Sequence, residues 1–443
     1  MSFDAWIGVA GFVFLLLTIL SGVPIGVAMA VVGLLGLWIL IDGLGALSVL
    51  KIIGLQDLTN YNLSVIPLFI IMGMFAARAG LSARLFGAAH TFVGHYRGGL
   101  TFATIGASAA FSAVCGSSLA TAATMAKVAL PEMAAKKYED GFAAGTVAAG
   151  GTLGILIPPS IMLLLYAITT ETSIVDLFAA ALVPGGLAVL FYLLAIIAVT
   201  RLRPESAPAS AKSSWRERLR GLKDAGAVIA LFLLVIGGLY SGLFTPVESA
   251  AVGAVATILY FVISGQASDT NNLKETVLEC AGTSVMIFLI VIGAGVFSFF
   301  MAISGLPGVF AKVIISADLP PYAILFAIVF IYLILGSFMD SIGMMILTIP
   351  VIFPLIQELA PDIGMTVADA AIWFGIFVVI VIEIGLMTPP LGLNVFVIHG
   401  AARHIPLSAI YRGVIPFWIA DIARLFLIIV FPGIALWLPK LLG

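Results

Sequence analysis

Ten apolar runs, each close to the length of a bilayer-crossing helix, constrain this chain more than any other feature. They lie near 5–20, 24–41, 63–78, 141–168, 178–200, 226–243, 246–264, 280–303, 370–398 and 414–438. A helix needs about 20 apolar residues to span the hydrocarbon core. Charged residues make up only 9% of the chain and hydrophobic residues 62%, where a soluble domain carries roughly a quarter charged. So few charges cannot cover a water-facing surface, and the solvent is lipid. The first run, 6–20, lacks a basic start and a small-residue cleavage pattern, so it reads as a retained helix.

Two further apolar intervals, 100–131 and 320–352, are interrupted near their middles. The first break is Cys115-Gly116-Ser117-Ser118; the second runs from Gly336 through Ser337 and Asp340 to Ser341. Two half-length arms around a small polar break predict a re-entrant hairpin rather than a spanning helix. A bare turn at that depth requires protein or a water-filled cavity to satisfy its backbone.

The positive-inside rule orients the ten crossings. With 78–97, 132–140, 201–224, 265–279 and 399–412 in the cytoplasm, that side holds fifteen Lys and Arg residues. The opposite side holds three, Lys51, Lys312 and Lys440. Both termini are thereby expected in the periplasm. Lys127 and Arg424 fall inside hydrophobic segments, and Lys127 is expected to snorkel toward the cytoplasmic interface. Residues 204–210 read as loop, and Ser214 to Leu222 as a short amphipathic helix on the membrane surface.

Small residues recur at an offset of 220. Ser21-Gly22 answers Ser241-Gly242, Val32-Gly33 answers Val252-Gly253, and Gly116-Ser117 answers Gly336-Ser337. Pro131 and Pro350, read as closing the two hairpins, also correspond. Gly154-Ile155-Leu156-Ile157-Pro158-Pro159 aligns with Gly385-Leu386-Met387-Thr388-Pro389-Pro390 at an offset of 231. Charge places Ser21 and Ser241 on opposite faces, so the repeats run antiparallel. This predicts an all-α polytopic membrane protein of inverted repeats, with two hairpins and two broken helices, as in secondary transporters. The first repeat is assigned to 1–200, a basic cytoplasmic linker to 201–225 and the second repeat to 226–443. The broken helices are expected at about 141–168 and 370–398.

Each Pro pair removes N–H donors and frees carbonyls in the preceding turn. Those carbonyls, with Ser and Thr hydroxyls, are hard oxygen ligands for a small cation, and half-helix N-termini at the same depth attract an anion. Glu383 and Asp340 sit at breaks. Asp340 reads as a cation ligand, a proton carrier or a cap; Glu248 reads as a cap for its helix. Asp421 and Arg424, spaced i,i+3, are expected to pair. Two cysteines in apolar context imply neither a disulfide framework nor a metal site. The four histidines read as interfacial, and a net charge of −2 argues against nucleic acid. No Ser-His-Asp set at plausible depth, zinc-protease motif or P-loop occurs, so no enzyme activity is expected.

Three long stretches carry a resemblance: Tyr240 to Ala251, Gly150 to Ser160 and Glu383 to Asn394. They resemble hallmark segments of the large membrane subunits of TRAP transporters, DctM type, and the likeness extends along nearly the whole chain. The resemblance implies an elevator mechanism in which two hairpins and two broken helices carry substrate past a fixed scaffold. It implies coupling to sodium ions at two sites. Carried onto matching positions, the first uses Gly116, Ser117 and Ser118 with Gly151 and Thr152. The second uses Gly336, Ser337 and Asp340 with Gly385, Met387 and Thr388. Because Ile157 stands where the second repeat has Thr388, the two ligand sets differ. Substrate is expected between them, near Ser118, Ser160, Ser341 and Asn394.

The resemblance also implies partners. These are a small four-helix membrane subunit, expected as a separate chain, and a periplasmic substrate-binding protein. The substrate class is a small organic anion, with C4-dicarboxylates foremost, and the location a bacterial inner membrane. A standalone symporter or antiporter of the same superfamily, or a channel or sensor, are the alternatives.

Overall fold

The computed structural model describes residues 2–317 and 319–442, and every regular element among them is helical. In chain order the first half holds α1 (Phe3–Leu20), α2 (Ile25–Leu40), α3 (Gly43–Thr59), α4 (Val65–Arg78), α5 (Leu81–Val93), α6 (Gly99–Cys115), α7 (Ser118–Ala135), α8 (Asp140–Leu156), α9 (Ile161–Thr170) and α10 (Ile174–Leu202). The second half holds α11 (Trp215–Tyr240), α12 (Pro246–Ile263), α13 (Thr270–Ser304), α14 (Leu306–Ser316), α15 (Pro321–Gly336), α16 (Ser341–Leu359), α17 (Val367–Gly385), α18 (Leu393–Ala401), α19 (Leu407–Val430) and α20 (Gly433–Leu442). Ten helical segments among the described residues are long and apolar enough to cross a membrane.

The element order repeats. Helices α6 and α7 form one hairpin and α15 and α16 the other. Each hairpin is followed by a helix broken at its Pro pair, α8/α9 and α17/α18, and then by one long helix, α10 or α19. The two breaks are visible locally. Helix α8 ends at Leu156 before Pro158-Pro159, and α17 ends at Gly385 before Pro389-Pro390. Both Pro–Pro bonds are cis.

Several boundaries differ from the sequence expectation. Ser214 to Leu222 is not a separate surface helix. A capping box between Ser214 and Glu217 starts α11, which continues without a stop to Tyr240 and contains one wider turn at Leu233–Gly237. Amphipathic and apolar segments fuse because no Pro separates them and the glycines between them, Gly221 and Gly226, stay helical. Helices α3 and α14 were not expected: Lys51, Gln56 and Asp57 dilute the apolar signal of α3, and Lys312 that of α14. The run 414–438 is two helices, parted at Phe431 and Pro432. Pro131 and Pro350 do not close the hairpins; α7 and α16 run through them to Ala135 and Leu359.

Residues 204–210 are loop with one short 3-10 turn, but the loop is pinned rather than free. Ala207 O accepts from Gly98 N at 3.0 Å, Ser206 O from Glu139 N at 2.9 Å, and Ser210 N donates to Gly94 O at 2.9 Å. Capping residues behave as their chemistry dictates: Thr245 and Glu248 form a reciprocal capping box at the start of α12.

Packing in lipid cannot draw on a hydrophobic force between helices, so small residues that admit close backbones substitute for it. Helices α2 and α13 meet at Gly26, Gly33 and Gly293; a Cβ on Gly26 would stand 2.7 Å from the Leu289 backbone. Helices α8 and α19 meet at Gly141, Gly145 and Gly413 in the same way. The broken helices occupy the centre. Every residue of α8 from Gly141 to Leu156 is buried, as is every residue of α17 from Trp373 to Gly385.

Candidate functional site

Each hairpin tip seats against the break of the helix that follows it. At the first tip, Gly116 takes a left-handed conformation (φ +64°) that ends α6, and extended Ser117 caps α7 by accepting from Ala120 N at 3.4 Å. The carbonyl of Gly116 accepts from Ile161 N, the first amide of α9, at 3.4 Å. A Cβ on Gly116 would lie 3.0 Å from Pro159 O. One turn earlier, Gly151 leaves room for Ala122 of α7.

At the second tip, Gly336 lies on Gly385; a Cβ on Gly336 would stand 3.1 Å from the Gly385 Cα. Asp340 is the N-cap of α16, its Oδ2 accepting from Ile342 N at 3.1 Å and Gly343 N at 3.0 Å. Ser337 Oγ donates to Ile334 O at 2.7 Å. Met387 is buried in the break. Thr388 Oγ1 donates to Ile384 O at 2.7 Å and accepts from Trp418 Nε1 at 3.0 Å. The second tip and the second break, in contact at Gly336 and Gly385, thus carry the hydroxyls of Ser337 and Thr388 and the Asp340 carboxylate, oxygens of the kind that a hard cation takes.

Not every residue named from sequence joins these groups. Thr152 turns its hydroxyl away from the first tip, donating to Ala149 O at 2.8 Å and meeting Tyr192 Oη at 3.0 Å. Ser160 is buried and caps α9, with Leu163 N donating to its Oγ at 3.3 Å. Ser118 and Asn394 do meet, across the two halves. Asn394 Nδ2 donates to Ser118 Oγ at 2.9 Å and to Ala148 O at 3.3 Å, and both side chains are buried. Ser341 and Ser118 share a wall of one cavity.

That cavity, of about 1060 Å³, touches both tips at Gly116, Ser117, Ser118, Asp340 and Ser341. It is also lined by Arg78, Gly80 and Glu279, and by residues of α2, α4 and α13. Lys127, expected at the membrane interface, faces this cavity from α7.

A buried polar network also lies behind the tips. Arg424 Nη2 pairs with Asp421 Oδ1 at 2.9 Å, as the i,i+3 spacing predicts, and with Glu383 Oε2 of α17 at 2.6 Å. Tyr192 of α10 donates to Asp421 Oδ2 at 2.6 Å and meets Thr152 of α8. All five side chains are fully buried. The network ties α8 and α10 from the first half to α17 and α19 from the second. Tyr192 had no signal in the sequence, since a single Tyr in an apolar run is indistinguishable from ordinary core.

Two hairpin tips, two helix breaks and a shared cavity inside an apolar bundle define the class: a membrane transporter of repeated helical halves. Residues 12–434 match the family model described as "Tripartite ATP-independent periplasmic transporter, DctM component", and the chain belongs to that family. It is the large permease subunit of a secondary transporter. It is 35% identical to the C4-dicarboxylate TRAP transporter large permease protein DctM of Pseudomonas aeruginosa, over 87% of each chain. It is 31% identical to the sialic acid permease SiaM of Vibrio cholerae, over 95% of this chain and 96% of that one. The ectoine/5-hydroxyectoine permease UehC of Ruegeria pomeroyi is 27% identical over 97% and 98%. Among solved structures, the Alcanivorax borkumensis YdaH transporter is similar in fold, with a TM-score of 0.63, 16% identity and 90% of both chains covered.

Proposed function

We propose that this permease imports a small organic acid across a bacterial inner membrane, driven by sodium ions and by elevator motion of its two hairpins and two broken helices. Both termini face the periplasm, where a binding protein delivers the substrate, and a separate small four-helix subunit lies beside the scaffold. C4-dicarboxylates lead the substrate classes, because C4-dicarboxylate permeases are among the most similar relatives.

The observation that carries this reading is Asp340 at the second tip, facing the same cavity as Ser118 and Ser341. An organic anion resting on those hydroxyls meets a carboxylate of like charge. A sodium ion held by Asp340 and the carbonyls of the second break removes that repulsion, so the anion binds best after the cation. Coupling follows from this order without any direct contact between the two. The positive-inside count assigns Arg78 and Glu279 to the cytoplasmic side, and Lys127 lines the same cavity, so in this reading the cavity opens inward.

In proteoliposomes with an imposed sodium gradient, the small subunit and the cognate binding protein, Asp340→Ala and Thr388→Val are expected to raise the half-activating sodium concentration. The effect is roughly tenfold for Asp340, matching loss of about 1.4 kcal/mol from one cation ligand. Unchanged sodium activation in both variants defeats the assignment. Uptake that proceeds equally well without the binding protein points instead to a standalone carrier.

A further inference from the structure

The cavity contains a cation whose role the tips and breaks do not account for. Ala120, Thr124 and Lys127 all line it from α7, at the i, i+4, i+7 spacing of one helix face. Lys127 is exposed within it. Among the described residues no carboxylate lies within 4 Å of the Lys127 ammonium. The other cation on the wall, Arg78, is already engaged by Glu275 at 3.5 Å and Glu279 at 3.0 Å. Asp340 Oδ2 accepts from two amides at the tip, and among the described residues no ion pair joins Asp340 to Lys127. Lys127 is therefore the unpaired positive charge of the inward wall.

Its distance from the tip limits what it can do. Lys127 stands nine positions after Ser118 on one helix, a backbone rise of about 13.5 Å at 1.5 Å per residue. The two backbone positions are more than two helical turns apart, which sets Lys127 farther along the cavity wall than Ser118. A charge on the wall of an apolar cleft acts at longer range by concentrating ions of opposite sign. A lysine, being a compact point charge on a flexible stem, does this without demanding a particular carboxylate geometry.

We infer that Lys127 is a carboxylate-binding station on the cytoplasmic exit path, one that draws the organic acid off the hairpin tips toward the mouth of the cavity. The inference rests on the organic-acid reading above. It separates two roles: Ser118 and Ser341 hold the substrate, whereas Lys127 governs the rate at which it leaves.

The test is uptake and exchange by the reconstituted transporter, with its partner subunits, of a panel of labelled carboxylates that includes succinate. Lys127→Gln is expected to lower maximal turnover roughly tenfold, the lower end of what charge focusing supplies. Lys127→Glu should lower it further. The half-activating sodium concentration should stay at the wild-type value in both, and Lys127→Arg should restore most of the rate. Turnover of the wild type should fall as ionic strength rises, and that dependence should be lost in Lys127→Gln. Wild-type turnover and salt dependence in Lys127→Gln overturn the inference alone. Absence of uptake of every carboxylate by the unsubstituted transporter overturns the organic-acid reading and the inference with it.

Discussion

Replacing Arg424 with methionine is expected to abolish folded transporter at growth temperature, with a loss of about 3–5 kcal/mol. Glu383, Asp421 and Arg424 are all 0% exposed, and among the described residues the one guanidinium is the only cation paired with either carboxylate. Methionine fills much of the volume but leaves two carboxylates facing each other without counter-charge in the centre of a bilayer protein. Removing one partner of a buried ion pair costs far more than the pair contributes, because the remaining charge loses its compensation and cannot regain water. Asp421→Asn should be milder, since the amide oxygen still accepts from Tyr192. Thermal melting of the purified protein in detergent, followed by size-exclusion elution, reads the effect. Arg424→Met melting with the wild type would show that the network is not needed for assembly. The same logic predicts that replacing Glu383, Asp421 and Arg424 together by apolar residues restores much of the loss.

Gly413→Ala should be comparably severe although it adds one methyl group. The site for that methyl is already filled by the carbonyl of Gly141, and Gly145 faces Gly413 from the same helix. Both obstructions are backbone, so no rotamer change relieves them and α8 must move away from α19. Overpacking of a close-packed core costs about 1–3 kcal/mol, and a backbone-on-backbone clash falls at the top of that range. Gly186→Ala, in α10 with open space at its Cβ position, is the matched control and should leave the melting temperature unchanged or slightly raised, because alanine is the better helix former. Equal melting of the two variants would contradict the close approach.

The architecture was largely readable before any coordinates, and for local reasons. Apolar runs report the solvent, Pro and Gly report where helices stop, and a Ser or Thr three residues before a Glu reports a cap. Thus the hairpin breaks at Gly116 and Gly336, the helix breaks at the two Pro pairs, and the capping role of Glu248 follow from short windows of sequence. The same locality explains the failures. Windowed hydropathy overlooked α3 and α14, whose few polar residues lower the average although the helices are largely apolar. It also joined α19 to α20 across Pro432, and it gave Ser214 to Leu222 an independent existence that the uninterrupted helix α11 denies.

The sequence alone determined the lipid medium, the all-helical class and the positions of the chain's interruptions, because each depends on residues within one or two turns of each other. Only the tertiary structure decided which interruptions face one another and what lies between them. Arg424 reaches Glu383 over 41 positions, and Asn394 reaches Ser118 over 276. Such pairs leave no periodic trace, since a side chain's partner across a helix interface depends on how whole helices cross. For the same reason Thr152 belongs to Tyr192 rather than to the first tip, and Lys127 faces a cavity rather than the membrane surface.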